Sequence, residues 1–163
     1  MLHSGMNPPF SLERFLKICE ELIPEKDFQL LNTLPQAEAY SEKQARHPTV
    51  QGWIEFDSGL RNELVRTRAS RKHVDPGKYV RSDGYSGSSL MPVALAAQRN
   101  PSVIDAEKML DETRWKALEE LAFGHYFDLE FLITYAYKLM ILERWEKIRN
   151  ADKAALLEQT LHN

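Results

Sequence analysis

Charged residues share helix faces with apolar residues at two places in the chain, where they could form an ion-pair network or an acid–base site. Asp57 and Arg61 lie beside one apolar stripe, and Glu107 and Arg114 share a face with leucines further on. A buried charge needs a partner, so we expect an inter-helix ion-pair network that holds the protein together. Its predicted members are Asp57, Arg61, Glu107, Asp111, Arg114 and Arg144. The alternative is a small enzyme with a carboxylate–arginine cleft between the long helices.

The surface charges are segregated along the chain. Residues 61–81 carry seven basic residues against two acids, whereas residues 105–130 carry eight acids against three bases. Such complementary patches steer and orient a protein partner. The candidate docking residues are Arg66, Arg68, Arg71, Arg81, Glu119 and Glu120. Two alternatives remain: solvated helix faces that partly neutralise one another, and an RNA-binding stretch, which lacks the interleaved aromatics of that class.

Motifs for catalysis, metal binding and cofactor binding are missing from the sequence. No two of the five histidines share a predicted helix at ligand spacing. The Gly/Ser-rich residues 83–89 lack the order of a phosphate-binding loop. The one cysteine, Cys19, falls in a helical apolar pattern and is expected to be a small buried hydrophobe. We therefore expect no catalytic residue, no metal and no cofactor.

Helices must position these residues, and their start signals can be read from the sequence. Ser11 is a predicted N-cap, with Phe10 and Phe15 at the two positions of a hydrophobic staple. Thr49 is the predicted cap of a helix over 50–72, in which Gly59 indicates a close approach of another part of the chain. Asn100 and Pro101 are expected to begin a later helix.

The rest of the pattern predicts an all-α multi-helix bundle. A long helix over about 129–149 is apolar nearly all round, which is typical of a central buried helix. Residues 150–161 are expected to add a short amphipathic turn or two. Turn-forming residues dominate 73–89, so we expect a long mobile loop there. Residues 35–48 predict a loop or a weakly anchored helix.

The whole chain fits one globular domain over 1–163. Its 163 residues are 43% hydrophobic, a composition far from that of disordered chains, and we expect disorder only at residues 1–7 and 160–163. The net charge of −3 argues against a dedicated nucleic-acid binder. No apolar run has the length of a transmembrane helix, so a cytoplasmic location is the default expectation, with membrane contact only through partners.

Three segments resemble a known family. They are Phe56–Arg66, Ala106–Asp111 and Phe127–Trp145. Together they resemble a family of uncharacterised bacterial proteins encoded beside subunits of V/A-type ATPases. That family is similar to the C subunit (d in eukaryotes) of these rotary enzymes, whose helices carry an acid and an Asn, then Glu…Leu-Asp, then a Tyr-x-x-Lys helix.

The resemblance implies a mechanical function. The C subunit is an all-helical socket that joins the rotating central stalk to the membrane rotor ring and performs no chemistry. Because the C subunit is considerably longer than this chain, the resemblance implies a partial or minimal socket. The implied function is a non-enzymatic accessory or C-like subunit of a V/A-type ATPase. Its implied partners are stalk or rotor subunits, and its location is peripheral to the membrane through that complex.

Overall fold

Six α-helices make up most of the computed structural model, which describes residues 2–34, 47–81 and 84–161, with residues 152–161 as backbone only. No strand occurs in these ranges, so the prediction of an all-α fold is confirmed. The predicted loop or weak helix over 35–48 lies, except for its last two residues, outside the described residues. The helices are α1 (Leu12–Leu22), α2 (Glu25–Asn32), α3 (Pro48–Lys72), α4 (Met91–Arg99), α5 (Val103–Leu121) and α6 (Leu129–Leu161).

The contacts divide the chain into two compact units. Unit 1 comprises Met1–Thr33 and Phe127–Asn163 and contains α1, α2 and α6. Unit 2 comprises Leu34–Tyr126 and contains α3, α4 and α5.

Unit 1 is organised by the start of α1 and the first half of α6. The Ser11 side chain accepts a hydrogen bond from the Arg14 amide at 3.2 Å, which confirms the predicted cap. The rings of Phe10 and Phe15 stack with centroids 6.5 Å apart, and both contact the ring of Tyr135. Cys19 is buried, and burial raises the pKa of its thiol. These observations agree with Cys19 as a packing residue.

Helix α6 is longer than the sequence predicts. It runs without interruption from Leu129 to Leu161, so the break expected near residue 149 is wrong. No proline or glycine follows Arg149 to stop it. Its first half supplies the buried side chains of Ile133, Thr134, Ala136, Tyr137, Leu139 and Leu142. At the start of the chain, Leu2 is buried, and the Asn7 side chain accepts a hydrogen bond from Arg149 of α6 at 2.7 Å.

Unit 2 is a three-helix arrangement in which α3, α4 and α5 all pack against one another. Its core contains the fully buried side chains of Leu60, Ala94 and Leu118. Trp53 and Phe56 of α3 are also buried.

Two helix starts in unit 2 differ from those predicted. His47 caps α3, and its ring nitrogen Nδ1 accepts from the Thr49 amide at 3.3 Å. Ser102 caps α5 and accepts from the Asp105 amide at 3.2 Å. Asn100 ends α4 instead, and its side chain accepts from the Ser102 amide. Ser102 caps a helix as well as Asn100 does. His47 is not among the preferred capping residues, but Pro48 follows it at the first position of α3 and the His47 ring nitrogen accepts the amide hydrogen bond.

The segment between α3 and α4 is fastened to α3. It contains a short 3₁₀ turn at Pro76–Lys78 and no α-helix among its described residues. The Asn62 side chain donates to the Arg81 carbonyl at 2.6 Å and accepts from the Arg81 amide at 2.9 Å. The Tyr85 ring lies edge-on to Phe56 with centroids 5.8 Å apart. A Cβ on Gly59 would lie 3.1 Å from the Tyr85 Cβ, so the close approach predicted at Gly59 is present.

Among the described residues, none of the helices combines the length and the apolar character that crossing a bilayer requires.

Candidate functional site

A buried ion-pair network joins α3 to α5. One carboxylate oxygen of Asp57 accepts from Arg61 Nε at 2.8 Å, and the other accepts from Arg114 Nε at 2.7 Å. Arg114 also donates through Nη1 to Asp111 at 2.9 Å. Asp57, Asp111 and Arg114 are all buried, whereas the Arg61 side chain is half exposed. The structure thus brings together four of the six residues predicted for the network.

The protonation state of Asp57 follows from these contacts. Burial tends to raise the pKa of its carboxyl, but the charges and hydrogen bonds of Arg114 and Arg61 outweigh burial and hold the pKa below its ordinary value of 3.8. Burial likewise opposes the charge on Arg114, and Asp57 and Asp111 reverse that effect, so the pKa of Arg114 is raised. Both oxygens of Asp57 already accept from guanidinium groups, which makes this carboxylate a poor general base.

The other two predicted network members lie in different surroundings. Glu107 lies on α5 along the groove described next. Arg144 belongs to α6 in unit 1, where its guanidinium carbon lies 5.7 Å from the centroid of the Trp145 ring. That distance is within the range of a cation–π contact.

A groove of about 460 Å³ opens in unit 2 where the end of α3, the end of α4 and the start of α5 meet. Its apolar lining comes from all three helices, and Ala97 and Leu110 in this lining are buried. Val103 lines the groove as well, but it is 76% exposed. The apolar lining consists of Leu64, Ala97, Val103, Ala106 and Leu110.

The charges that line the groove are mostly positive. Arg68, Arg71 and Lys72 come from the last turns of α3, against the single carboxylate of Glu107. All three basic residues are exposed, and none forms a salt bridge with another residue in the described part of the chain. Arg71 and Lys72 lie in the last turn of α3, where positive charge interacts favourably with the helix dipole and stabilises the helix.

The neutral polar groups of the groove are already engaged. Gln98 donates through Nε2 to the Thr67 carbonyl at 3.2 Å, and Asn100 accepts from the Ser102 amide at 2.9 Å. These bonds fix the end of α4 against α3 and shape the turn into α5. The three basic side chains are therefore the groups best able to bind a ligand.

The remaining predicted docking residues have local contacts. Arg66 donates to Glu63 on the same helix at 2.5 Å. The backbone carbonyl and amide of Arg81 form hydrogen bonds with the Asn62 side chain. Glu119 is exposed and accepts from Trp115 Nε1 at 3.0 Å, and Glu120 is exposed. Of the six predicted docking residues, the structure places Arg68 and Arg71 together in the groove.

Sequence reasoning missed part of this groove. Lys72 was visible in the basic stretch, and its spacing of four from Arg68 on one helix placed both on the same face. Val103 carried no sequence signal, because its place beside α3 depends on how α4 and α5 fold back.

Part of the chain matches the model of a protein family. Residues 88–159, less than half of the chain, are similar to a family described as a protein of unknown function (DUF2764). This region includes the α4 and α5 walls of the groove and most of α6. No curated protein and no solved structure matches the chain.

Proposed function

We propose that this protein is a non-enzymatic accessory or C-like subunit of a V/A-type ATPase, which docks onto stalk or rotor components. The observation that carries the docking function is the groove of unit 2, where Arg68, Arg71 and Lys72 line one side without salt bridges to described residues. Exposed charge of one sign along a concave surface favours binding of a complementary partner.

The identity of the partner rests on the resemblance of the three segments. Asp57 belongs to the first segment and Asp111 to the second, and Arg114 bonds to both. Asn62, also in the first segment, holds Arg81. The resemblance is thus carried partly by residues that build the helical scaffold. This supports a shared helical scaffold, on which the proposed docking function rests.

The rival function, an enzyme with a carboxylate–arginine cleft, requires Asp57, Glu107 and Arg114 to converge on a pocket. Asp57 and Arg114 are buried and bonded to each other. The groove that Glu107 lines includes neither of them. The geometry therefore favours the docking function.

This function implies a cytoplasmic location, peripheral to the membrane through the complex, and a contribution to ion transport.

The test is an affinity pull-down of the tagged protein from gently solubilised membranes of its own host, read by mass spectrometry. We expect recovery of ATPase stalk or rotor subunits. A pull-down that keeps the ATPase intact and recovers none of its subunits would contradict the proposal.

A further inference from the structure

The three basic residues of the groove lie on one stripe of α3. Arg68, Arg71 and Lys72 are spaced i, i+3 and i+4, so their side chains lie along one face over roughly 6 Å of helix. An acidic helix can present carboxylates at the same spacing. A row of exposed cations on one helix therefore complements a row of acids on another.

Exposed apolar side chains lie at the edge of the groove, where Val103 belongs to its lining and Ile104 is the next residue of α5. Val103 and Ile104 at the start of α5 are 76% and 46% exposed. Leu64, Ala106 and Leu110 provide apolar surface inside the groove. A small anion bound to the cations would leave the first two side chains in water, whereas an amphipathic helix could cover them with its apolar face.

We infer that this groove binds an acidic amphipathic helix of a partner protein. The carboxylates of that helix contact Arg68, Arg71 and Lys72, and its apolar side chains enter between the three basic residues and Val103. The inference rests on the proposed docking function and specifies the chemistry of the partner segment. Both parts of the interaction are needed: the charges orient the helix, and the apolar contact retains it.

Photo-crosslinking in the host tests the inference on the full chain. The variant Val103→p-benzoylphenylalanine places the probe at the groove edge. The matched control Met91→p-benzoylphenylalanine places it at the opposite end of α4, at a residue that is also exposed. We expect irradiation of the Val103 variant to give an adduct that maps to an acidic amphipathic helix of another protein. The Met91 variant should not give that adduct.

Charge-reversal variants distinguish binding in the groove from non-specific electrostatic attraction. Adding Arg68→Glu and Arg71→Glu should reduce the yield of this adduct at least ~10-fold, because like charges then face each other. The matched pair Lys26→Glu and Lys116→Glu changes the net charge equally at exposed residues outside the groove, and should leave the yield unchanged.

The outcomes separate this inference from the proposed function. An acidic helix in a protein other than an ATPase subunit supports the inference and contradicts the proposed function. A cross-link to an ATPase subunit through a segment without acidic residues supports the proposed function and contradicts the inference. A cross-link to a second copy of this chain overturns the inference, as does an adduct yield that the Arg68→Glu and Arg71→Glu substitutions leave unchanged.

Discussion

Asp57 stabilises the junction between α3 and α5. Both of its carboxylate oxygens accept from guanidinium groups while the side chain is almost fully buried. Removing one member of a buried ion pair leaves the other charge in a poor environment, and the loss exceeds the value of the pair itself. Its role is therefore structural.

We expect Asp57→Asn to lower the free energy of unfolding by about 3 kcal/mol, because Arg114 then loses its partner on α3 while staying buried. Urea unfolding followed by circular dichroism measures the change. The control is Glu112→Gln, which removes a carboxylate from an exposed position next to Asp111 and should shift stability by no more than ~0.5 kcal/mol. Equal effects of the two substitutions would show that Asp57 has no special structural role.

The same carboxylate makes the stability depend on pH in the acid range. The pKa of Asp57 is lower in the folded protein than its ordinary value of 3.8, so ionised Asp57 stabilises the fold above that pH. The stabilisation is lost as the pH falls from 3.8 through the folded-state pKa. We expect the stability gap between the wild type and Asp57→Asn to narrow as the pH falls from 5 to 3. A gap that stays constant over this interval would contradict the assignment.

At the scale of elements, the segment between α3 and α4 depends on Asn62. Its amide side chain bonds both backbone groups of Arg81 and is itself buried. Together with the contact between Tyr85 and Phe56, these bonds keep an irregular segment against a helix. The sequence offered turn formers and no apolar period there, and so could not show what fastens the segment.

We expect Asn62→Ala to destabilise unit 2 by about 1–2 kcal/mol and to speed hydrogen exchange of the Arg81 amide. Exchange measured by mass spectrometry on peptides covering 79–85 gives the readout. The control is Thr67→Ala, which removes a hydroxyl bonded only to the Glu63 carbonyl of its own helix and should leave exchange at Arg81 unchanged. Unchanged exchange in Asn62→Ala would mean that the segment is held by other contacts.

Much of the helical framework follows from the sequence, because apolar periodicity and capping residues act locally. Ser11 with its aromatic staple shows this well. The start of α5 shows the limit, since Asn100 and Ser102 both suit a cap and only the structure shows that Ser102 takes the position.

The candidate site was predictable only in part. Charged residues beside an apolar stripe predict buried pairs, but that Arg114 reaches Asp57 depends on how α5 packs against α3. The groove needs three helices to converge, so Arg68 and Arg71 could be named in advance but not the apolar surface beside them.

At the scale of the whole molecule, charged residues take two distinct roles. Those between α3 and α5 are bonded to one another and, apart from the half-exposed Arg61, buried. Those at the end of α3 remain exposed along the groove. The first group stabilises the scaffold, and the second is available to a partner. This separation agrees with the proposed docking function.

The most direct test is binding of the purified protein to the intact V/A-type ATPase of its host, immobilised in detergent and followed by biolayer interferometry. We expect saturable binding that weakens with added salt, and at least ~10-fold weaker binding of the Arg68→Glu/Arg71→Glu variant. The Lys26→Glu/Lys116→Glu variant, matched in charge, should bind like the wild type once circular dichroism shows that all variants are folded. Absence of binding to an intact complex, or equal binding of both double variants, would contradict docking onto the ATPase through this groove.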